Sequence, residues 1–299
     1  MTRREFKLDF VGIGAARCGT SWIARCLQEH PGIFVPPKKE LHYFNDDAKY
    51  DPSLSRMKPF FGEAGPDAIR GELTPRYIIN DKALGRIRTA FPEVKILVML
   101  RDPVERAFSQ WCYFRFNKKK ESTSDFRAAL DGYFHEDYVV KSLYGAQLER
   151  VFELFGRDHV WVSLFDRIRE EPAGLIGGLY RFLGVDADFL PPTADRIVNP
   201  SSRKSASPPY IWTRMVRWLT YSRTPGIGAL QRRLMPRVAR LNRRMDAQEE
   251  AGGDAMPRRL SDEDREAIYT RYFREDLERT EELLRMDLSR WKHPRPRRA

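Results

Sequence analysis

Two runs of mainly hydrophobic residues predict strands that are buried in a sheet. Residues 94–100 (VKILVML) and residues 9–13 (DFVGI) are each followed by a polar or small-residue segment, and strands covered on both faces of a parallel sheet have this composition. Residues 21–30 are predicted to form a helix after the first strand, and residues 159–164 a further strand. Alternation of strands with helices predicts an α/β domain of three layers, with a central parallel sheet flanked by helices.

A turn of small residues connects the first strand to the first helix. The glycines of residues 14–19 (GAARCG) let the backbone approach an oxyanion, and unpaired amides at the helix start bind negative charge. The turn resembles a Walker A loop, but Thr20 stands where that loop has its lysine, which argues against hydrolysis of ATP or GTP. A positive charge lies earlier, at Arg17, and fits a nucleotide with one phosphate and a small anionic group on its 5′ side. An ordinary turn between strand and helix is the alternative.

An arginine and a serine with chemistry suited to a phosphate follow the strand at 94–100. Arg101 comes at the end of that strand, and Pro103 suits the first position of a helix, so Ser109 lies two turns into the helix. A guanidinium group forms paired hydrogen bonds with a phosphate, and a hydroxyl group adds one more donor. The alternative for Arg101 is a surface ion pair with Asp102 or Glu105.

These motifs, together with residues 36–44 (PPKKELHYF), resemble the sulfotransferases that use 3′-phosphoadenosine-5′-phosphosulfate, in particular the heparan sulfate sulfotransferases and their bacterial relatives. The resemblance covers residues 8–198 and resumes at 260–291. It implies a P-loop-like fold, sulfuryl transfer without a metal ion, and the product adenosine 3′,5′-bisphosphate. It also implies that Glu40 is the general base, with His42 as the alternative base, and that Arg17 is catalytic. The implied nucleotide-binding residues are Arg17, Cys18, Gly19, Thr20, Ser21, Trp22, Arg101, Ser109, Tyr144, Arg203 and Lys204. Of these, Arg101 and Ser109 are implied to hold the 3′-phosphate.

Two segments depart from the pattern of that family. In residues 71–77 (GELTPRY), Leu73 stands where heparan sulfate 3-O-sulfotransferases have a lysine that helps to bind substrate or assists catalysis, so that role does not transfer. Glu72 in the same segment is a candidate for contact with the acceptor, and a structural turn carboxylate is the alternative. Residues 199–207 (NPSSRKSAS) take the place of the family's basic loop over the nucleotide, although its lysine-glycine-arginine pattern is absent.

Positive charge is concentrated in one segment of the 299-residue chain. Residues 201–259 contain thirteen Arg or Lys against four Asp or Glu, which is +9 of the formal net charge of +11. We predict one domain with its core at 7–200, a basic helical insertion at 201–259 and a C-terminal helix at 260–291. Residues 210–245 are predicted to form a flap at the acceptor side of the cleft, with Trp212 as a candidate acceptor contact. A membrane-surface contact and a solvated face are the alternatives.

The apolar stretches, the cysteines, the histidines and the isoelectric point limit the class of protein. The longest apolar stretches are about half of a membrane span, which predicts a soluble protein of the cytoplasm. The three cysteines suit a reducing compartment, and the five scattered histidines indicate no metal site. The expected acceptor is a hydroxyl of a saccharide, lipid or secondary metabolite; an amine acceptor and the oligomeric state stay open. The other classes are a P-loop kinase and, from the pI of about 9.6, a basic nucleic-acid or membrane binder. A sulfotransferase is expected to bind no nucleic acid.

Overall fold

A parallel sheet of five strands forms the centre of the protein. The computed structural model describes residues 6–194 and 259–292. The strands in these ranges are β1 (Phe10–Gly14), β2 (Ile33–Phe34), β3 (Ile69–Leu73), β4 (Lys95–Leu100) and β5 (Val160–Leu164). Their order across the sheet is β2-β3-β1-β4-β5, and every neighbouring pair is parallel. All residues of β1 are buried, as expected for the middle strand of a covered sheet.

Helices connect the strands and continue in the second described range. None of the helices in residues 6–194 and 259–292 is long and apolar enough to span a bilayer. The helices are α1 (Thr20–Glu29), α2 (Asp81–Ala90), α3 (Pro103–Cys112), α4 (Phe126–Leu130), α5 (His135–Tyr138), α6 (Gly145–Phe155), α7 (Arg167–Glu170), α8 (Pro172–Leu183), α9 (Asp262–Ile268), α10 (Arg274–Leu284) and α11 (Ser289–Lys292).

The observed architecture confirms the predicted α/β class. Strands β1 and β4, predicted from hydrophobic runs, and the further predicted strand β5 each begin one residue later than expected, and α1 begins one residue earlier. Pro103 occupies the first turn of α3, as predicted, and the Asp102 carboxylate caps this helix by accepting hydrogen bonds from the amides of Val104 (2.9 Å) and Glu105 (3.2 Å).

Because neighbouring strands are parallel, the carboxyl ends of β1, β3 and β4 lie at one edge of the sheet. Ligands bind at this edge in parallel α/β folds.

The C-terminal segment differs from the single helix predicted at 260–291. A π-helical turn (Tyr269–Phe273) separates α9 from α10, and Arg285 ends α10 in a left-handed conformation (φ 52°). The chain turns back there, and the carbonyl oxygen of Trp291 accepts a hydrogen bond from Arg265 Nη2 (2.5 Å). The C-terminal region is helical, as predicted, but it consists of three helices rather than one, because the π-helical turn and the reversal at Arg285 divide it.

Arg265 also ties the C-terminal segment to the end of β4. Its guanidinium group pairs with the Asp102 carboxylate, and both side chains are buried. Burial raises the pKa of Asp102 to about 6, and the charge of Arg265 opposes that rise. The segment after residue 259 thereby holds the first turn of α3, directly beside Arg101.

We expect Arg265→Leu to destabilise the protein by about 3–5 kcal/mol, because removing one partner of a buried ion pair leaves the other charge uncompensated. Arg127→Leu is the matched control, since Arg127 pairs with Asp264 at the exposed surface and its loss should cost less than about 1 kcal/mol. Urea unfolding at pH 7 measures both free energies. Equal losses in the two variants would contradict the assigned role of the buried pair.

Candidate active site

The turn between β1 and α1 needs a glycine at its end and leaves backbone amides unpaired within the helix. Gly19 has a φ of 84°, and a Cβ atom there would lie 2.5 Å from Ile168 Cδ1, so both conformation and space require glycine. The first backbone hydrogen bonds of α1 run from the amides of Trp22 and Ile23 to the Gly19 carbonyl. The preceding amides have no partner within the helix, which makes this end attractive to an anion.

Arg17 brings the two predicted phosphate motifs into contact. Its Nε donates a hydrogen bond to Ser109 Oγ (3.1 Å) on α3, and its guanidinium carbon lies 4.9 Å from the centre of the Tyr113 ring. The carbonyl oxygen of Arg17 accepts from Arg101 Nη1 (3.5 Å). Burial and then the charge of Arg101 lower the pKa of Arg17, but arginine stays protonated in proteins. Two neighbouring cations therefore favour an anion here.

Arg101 makes the ion pair that the sequence left open as an alternative. Its Nη2 donates to Glu105 Oε2 (3.0 Å), and its guanidinium carbon lies 4.8 Å from the centre of the Phe165 ring. Asp102, the other candidate partner, is paired with Arg265 instead. Because a guanidinium group has five N–H donors, the contact with Glu105 leaves donors for a phosphate.

The loop that carries Glu40 and His42 is the second half of the site. The Glu40 side chain is 40% exposed; its Oε1 lies 3.3 Å from Lys39 Nζ and its Oε2 lies 3.6 Å from His42 Nε2. His42 Nδ1 is in turn 3.3 Å from Asn45 Oδ1. The Glu40 carboxylate is thus open to a ligand and held between two basic side chains.

Three of the predicted site residues have a strained backbone. Arg17 (φ 72°), Glu40 (φ 62°) and His42 (φ 53°) all lie in the left-handed region without being glycine. Such conformations cost about 1–3 kcal/mol each and cluster at functional sites, where the surrounding structure maintains them. The shared strain supports one functional site that contains both loops.

A buried polar network holds the Glu40 loop from below. The Tyr77 hydroxyl oxygen accepts from the amides of Tyr43 (3.0 Å) and Phe44 (3.3 Å). Thr74 Oγ1 accepts from the amide of His42 (3.3 Å) and donates to Glu72 Oε2 (3.0 Å). These bonds explain how a loop with unfavourable backbone angles keeps its shape.

Glu72 lies within that network rather than in a turn. It belongs to β3 and is only 1% exposed, so the side chain predicted to face the acceptor points under the loop. Its Oε1 has no hydrogen-bond partner in the described part of the chain. Both alternatives raised by the sequence, acceptor contact and turn carboxylate, give way to a support for the loop.

Three other predicted nucleotide-binding side chains face the interior. Cys18 Sγ is 3.8 Å from the Tyr144 hydroxyl, which donates to the Arg101 carbonyl (2.9 Å). Trp22 Nε1 donates to the Thr193 carbonyl (3.2 Å). All three side chains are buried, so they support the phosphate motifs from behind. The remaining predictions, Arg203, Lys204, Trp212 and the flap at 210–245, lie outside the described residues.

Sequence reasoning missed Lys39 as a site residue. Its Nζ is within hydrogen-bonding distance of Ser21 Oγ (2.9 Å) and Thr20 Oγ1 (3.3 Å). Burial lowers the pKa of Lys39, and the Glu40 charge opposes that effect. The available signal was its position directly before the candidate base. Within residues 6–194 and 259–292, no three His, Cys, Asp or Glu side chains are grouped as a metal site.

Comparison with known proteins places this site in a family. The family described as "Sulfotransferase domain" matches residues 8–208, and the chain therefore belongs to that family.

Individual relatives agree with this assignment. The chain is 30% identical over 132 residues to the membrane-associated sulfotransferase kil1 of Dictyostelium discoideum, covering 43% of this chain and 28% of the relative. It is 26% identical over 181 residues to the heparan sulfate glucosamine 3-O-sulfotransferase 5 of Homo sapiens, covering 58% and 52%. The chain thus spans about half the length of these curated relatives or less. A crystal structure of a sulfotransferase from Alicyclobacillus acidocaldarius superposes with a TM-score of 0.67 at 25% identity, over 96% of this chain and 100% of the other.

The burial of Glu72 predicts a pH-dependent stability. Burial raises the pKa of Glu72 from 4.5 to about 7, against the opposing hydrogen bonds from Tyr77 and Thr74. Because the folded pKa is the higher one, the contribution of Glu72 to stability should fall by about 3 kcal/mol as the pH rises from about 4.5 to above 7. Asp102, whose pKa is also raised, adds a fall that ends near pH 6. In urea unfolding between pH 6 and pH 8, stability should therefore depend less on pH in Glu72→Gln than in the wild type, whereas Glu63→Gln, at an exposed position, should keep the wild-type slope. An unchanged slope in Glu72→Gln would show that Glu72 is not the titrating group.

Proposed function

We propose that this protein transfers the sulfuryl group of 3′-phosphoadenosine-5′-phosphosulfate to a hydroxyl group of an acceptor. The hydrogen bond between Arg17 and Ser109 carries the proposal, because it joins the turn expected to bind the 5′-phosphate to the motif expected to bind the 3′-phosphate. A nucleotide with phosphates on both sides of its ribose matches two such motifs side by side. Membership of the sulfotransferase family supports the same donor.

Each motif binds a different phosphate of the nucleotide in this proposal. The amides at the start of α1 and the Arg17 guanidinium group bind the sulfate and the 5′-phosphate. Arg101, which keeps free donors beyond its contact with Glu105, binds the 3′-phosphate together with Ser109. Arg203 and Lys204, outside the described residues, complete this set as a basic cover over the nucleotide.

Glu40 is the general base in this proposal. The acceptor oxygen attacks sulfur opposite the bridging oxygen; the new S–O bond forms as the bond to the 5′-phosphate breaks, and the acceptor proton passes to the Glu40 carboxylate. The electron pair of the broken bond stays on the phosphate, where Arg17 stabilises the developing charge. The products are a sulfate ester and adenosine 3′,5′-bisphosphate.

Two observations favour Glu40 over His42 for this role. The Glu40 carboxylate is partly exposed and so accessible to an acceptor, whereas His42 contacts Asn45 on one ring nitrogen and faces Glu40 with the other. His42 is therefore suited to orient the base. Among acceptors, we propose a saccharide hydroxyl first, because a relative is named for sulfation of a glucosamine in heparan sulfate. We also propose that the transfer takes place in the cytoplasm.

We expect Arg101→Ala to weaken the binding of adenosine 3′,5′-bisphosphate by about tenfold to a hundredfold, since a charged phosphate contact is worth about 1.5–3 kcal/mol. Binding of adenosine 5′-monophosphate, which lacks the 3′-phosphate, should not change. Isothermal calorimetry measures both ligands, and Arg88→Ala, on the exposed face of α2, is the control. If Arg101→Ala still discriminates fully between the two ligands, the assignment of Arg101 to the 3′-phosphate is wrong.

Glu40→Gln keeps the shape of the side chain and removes its basicity. We expect kcat to fall by about 10²-fold or more, with little change in the affinity for adenosine 3′,5′-bisphosphate. The assay follows sulfate transfer with the best acceptor found in a panel of saccharide, phenol and lipid hydroxyls. Near-normal turnover in this variant would assign the base to His42.

A further inference from the structure

Lys39 places a positive charge at the start of α1, where a Walker A loop has its lysine and this chain does not. A Walker A loop has a lysine followed by a hydroxyl residue at the start of its helix, and this chain has Thr20 and Ser21 there. The Lys39 ammonium group comes from the loop after β2 and contacts both hydroxyl groups, at 3.3 Å and 2.9 Å. A lysine distant in sequence thus restores a positive charge at this helix end.

Leu73 cannot supply a second cation from β3. Its side chain is buried and packs on β1, so closely that a Cβ atom on Gly12 would lie 2.7 Å from Leu73 Cγ. The carboxyl end of β3 therefore presents no charge to the nucleotide at this position. Lys39 brings a further basic side chain to the same edge of the sheet, from the loop after β2.

We propose that the Lys39 ammonium group binds the 5′ sulfate-phosphate end of the nucleotide and stabilises the charge that develops on the leaving phosphate. The inference rests on the proposed donor. The side chain is 21% exposed, so it is partly accessible to a ligand. The contact with Glu40 Oε1 at 3.3 Å favours the charged form of Lys39. It also places the proposed base next to the ammonium group that would bind the donor.

Lys39→Met tests the contact because it keeps the length of the side chain and removes its charge. We expect the variant to bind 3′-phosphoadenosine-5′-phosphosulfate at least about tenfold more weakly. Adenosine 3′-monophosphate, which has only a hydroxyl group at its 5′ end, should bind with unchanged affinity. Lys38→Met is the matched control, since Lys38 is exposed and its Nζ lies 5.5 Å from the centre of the Phe60 ring. We expect wild-type affinities for both ligands in this control.

The outcomes separate the two proposals. If wild-type protein binds neither ligand, the proposed donor is wrong and the role of Lys39 falls with it. If the wild-type protein binds the donor and Lys39→Met binds it equally well, the proposed donor stands and the role of Lys39 is wrong. Equal weakening toward both ligands in Lys39→Met would also overturn it, since that result points to a disturbed loop.

A double-mutant cycle with Glu40 distinguishes charge stabilisation from mere orientation of the base. If Lys39 acts on the leaving phosphate, the kcat of Lys39→Met/Glu40→Gln should lie at least about tenfold below that of Glu40→Gln, because the two groups act on different atoms. Lys39→Arg should recover part of the loss. A double variant as active as Glu40→Gln would show that Lys39 acts only through the base and would overturn the proposed contact.

Discussion

The hydrogen bond between Arg17 and Ser109 depends on a single constraint, the parallel alignment of β1 and β4. In a parallel sheet, the carboxyl ends of neighbouring strands lie at the same edge, and the two phosphate motifs follow these ends. Segments separated by 92 residues therefore form one cationic surface. No local interaction within either motif could create it.

A second layer of buried contacts keeps these motifs in position. Arg106 is fully buried; its Nε donates to the Ala16 carbonyl (3.3 Å) and its Nη1 to Ser142 Oγ (2.8 Å). Burial lowers the pKa of Arg106, so the fold retains a desolvated cation directly behind the phosphate-binding turn. Asp102, held by Arg265, fixes the start of α3 from the other side. These contacts hold the candidate phosphate-binding groups in one arrangement without a ligand, and such preorganisation reduces the entropic cost of binding.

The elements that carry the two motifs could be predicted from the sequence, because each depends on local chemistry. Apolar runs identified β1 and β4, the strands that the two motifs follow, and Pro103 identified the helix that carries Ser109. The left-handed backbone at Glu40, the burial of Glu72 and the contact of Lys39 with Ser21 could not be predicted. Each depends on which distant segments meet, and a polar side chain in a motif gives no indication of whether it faces the ligand or the interior. The reversal at Arg285 is missed for the same reason, since the residues that it brings together lie at opposite ends of the segment.

Transfer of radiolabelled sulfate tests the central claim most directly. The wild-type protein is incubated with 3′-phosphoadenosine-5′-phosphosulfate labelled at sulfur and with the acceptor panel, and the labelled product and adenosine 3′,5′-bisphosphate are quantified. We expect the two products in equal amounts, and no phosphoryl transfer when ATP and magnesium replace the donor. Phosphoryl transfer from ATP, or no labelled product together with no affinity for adenosine 3′,5′-bisphosphate, would contradict a sulfotransferase site.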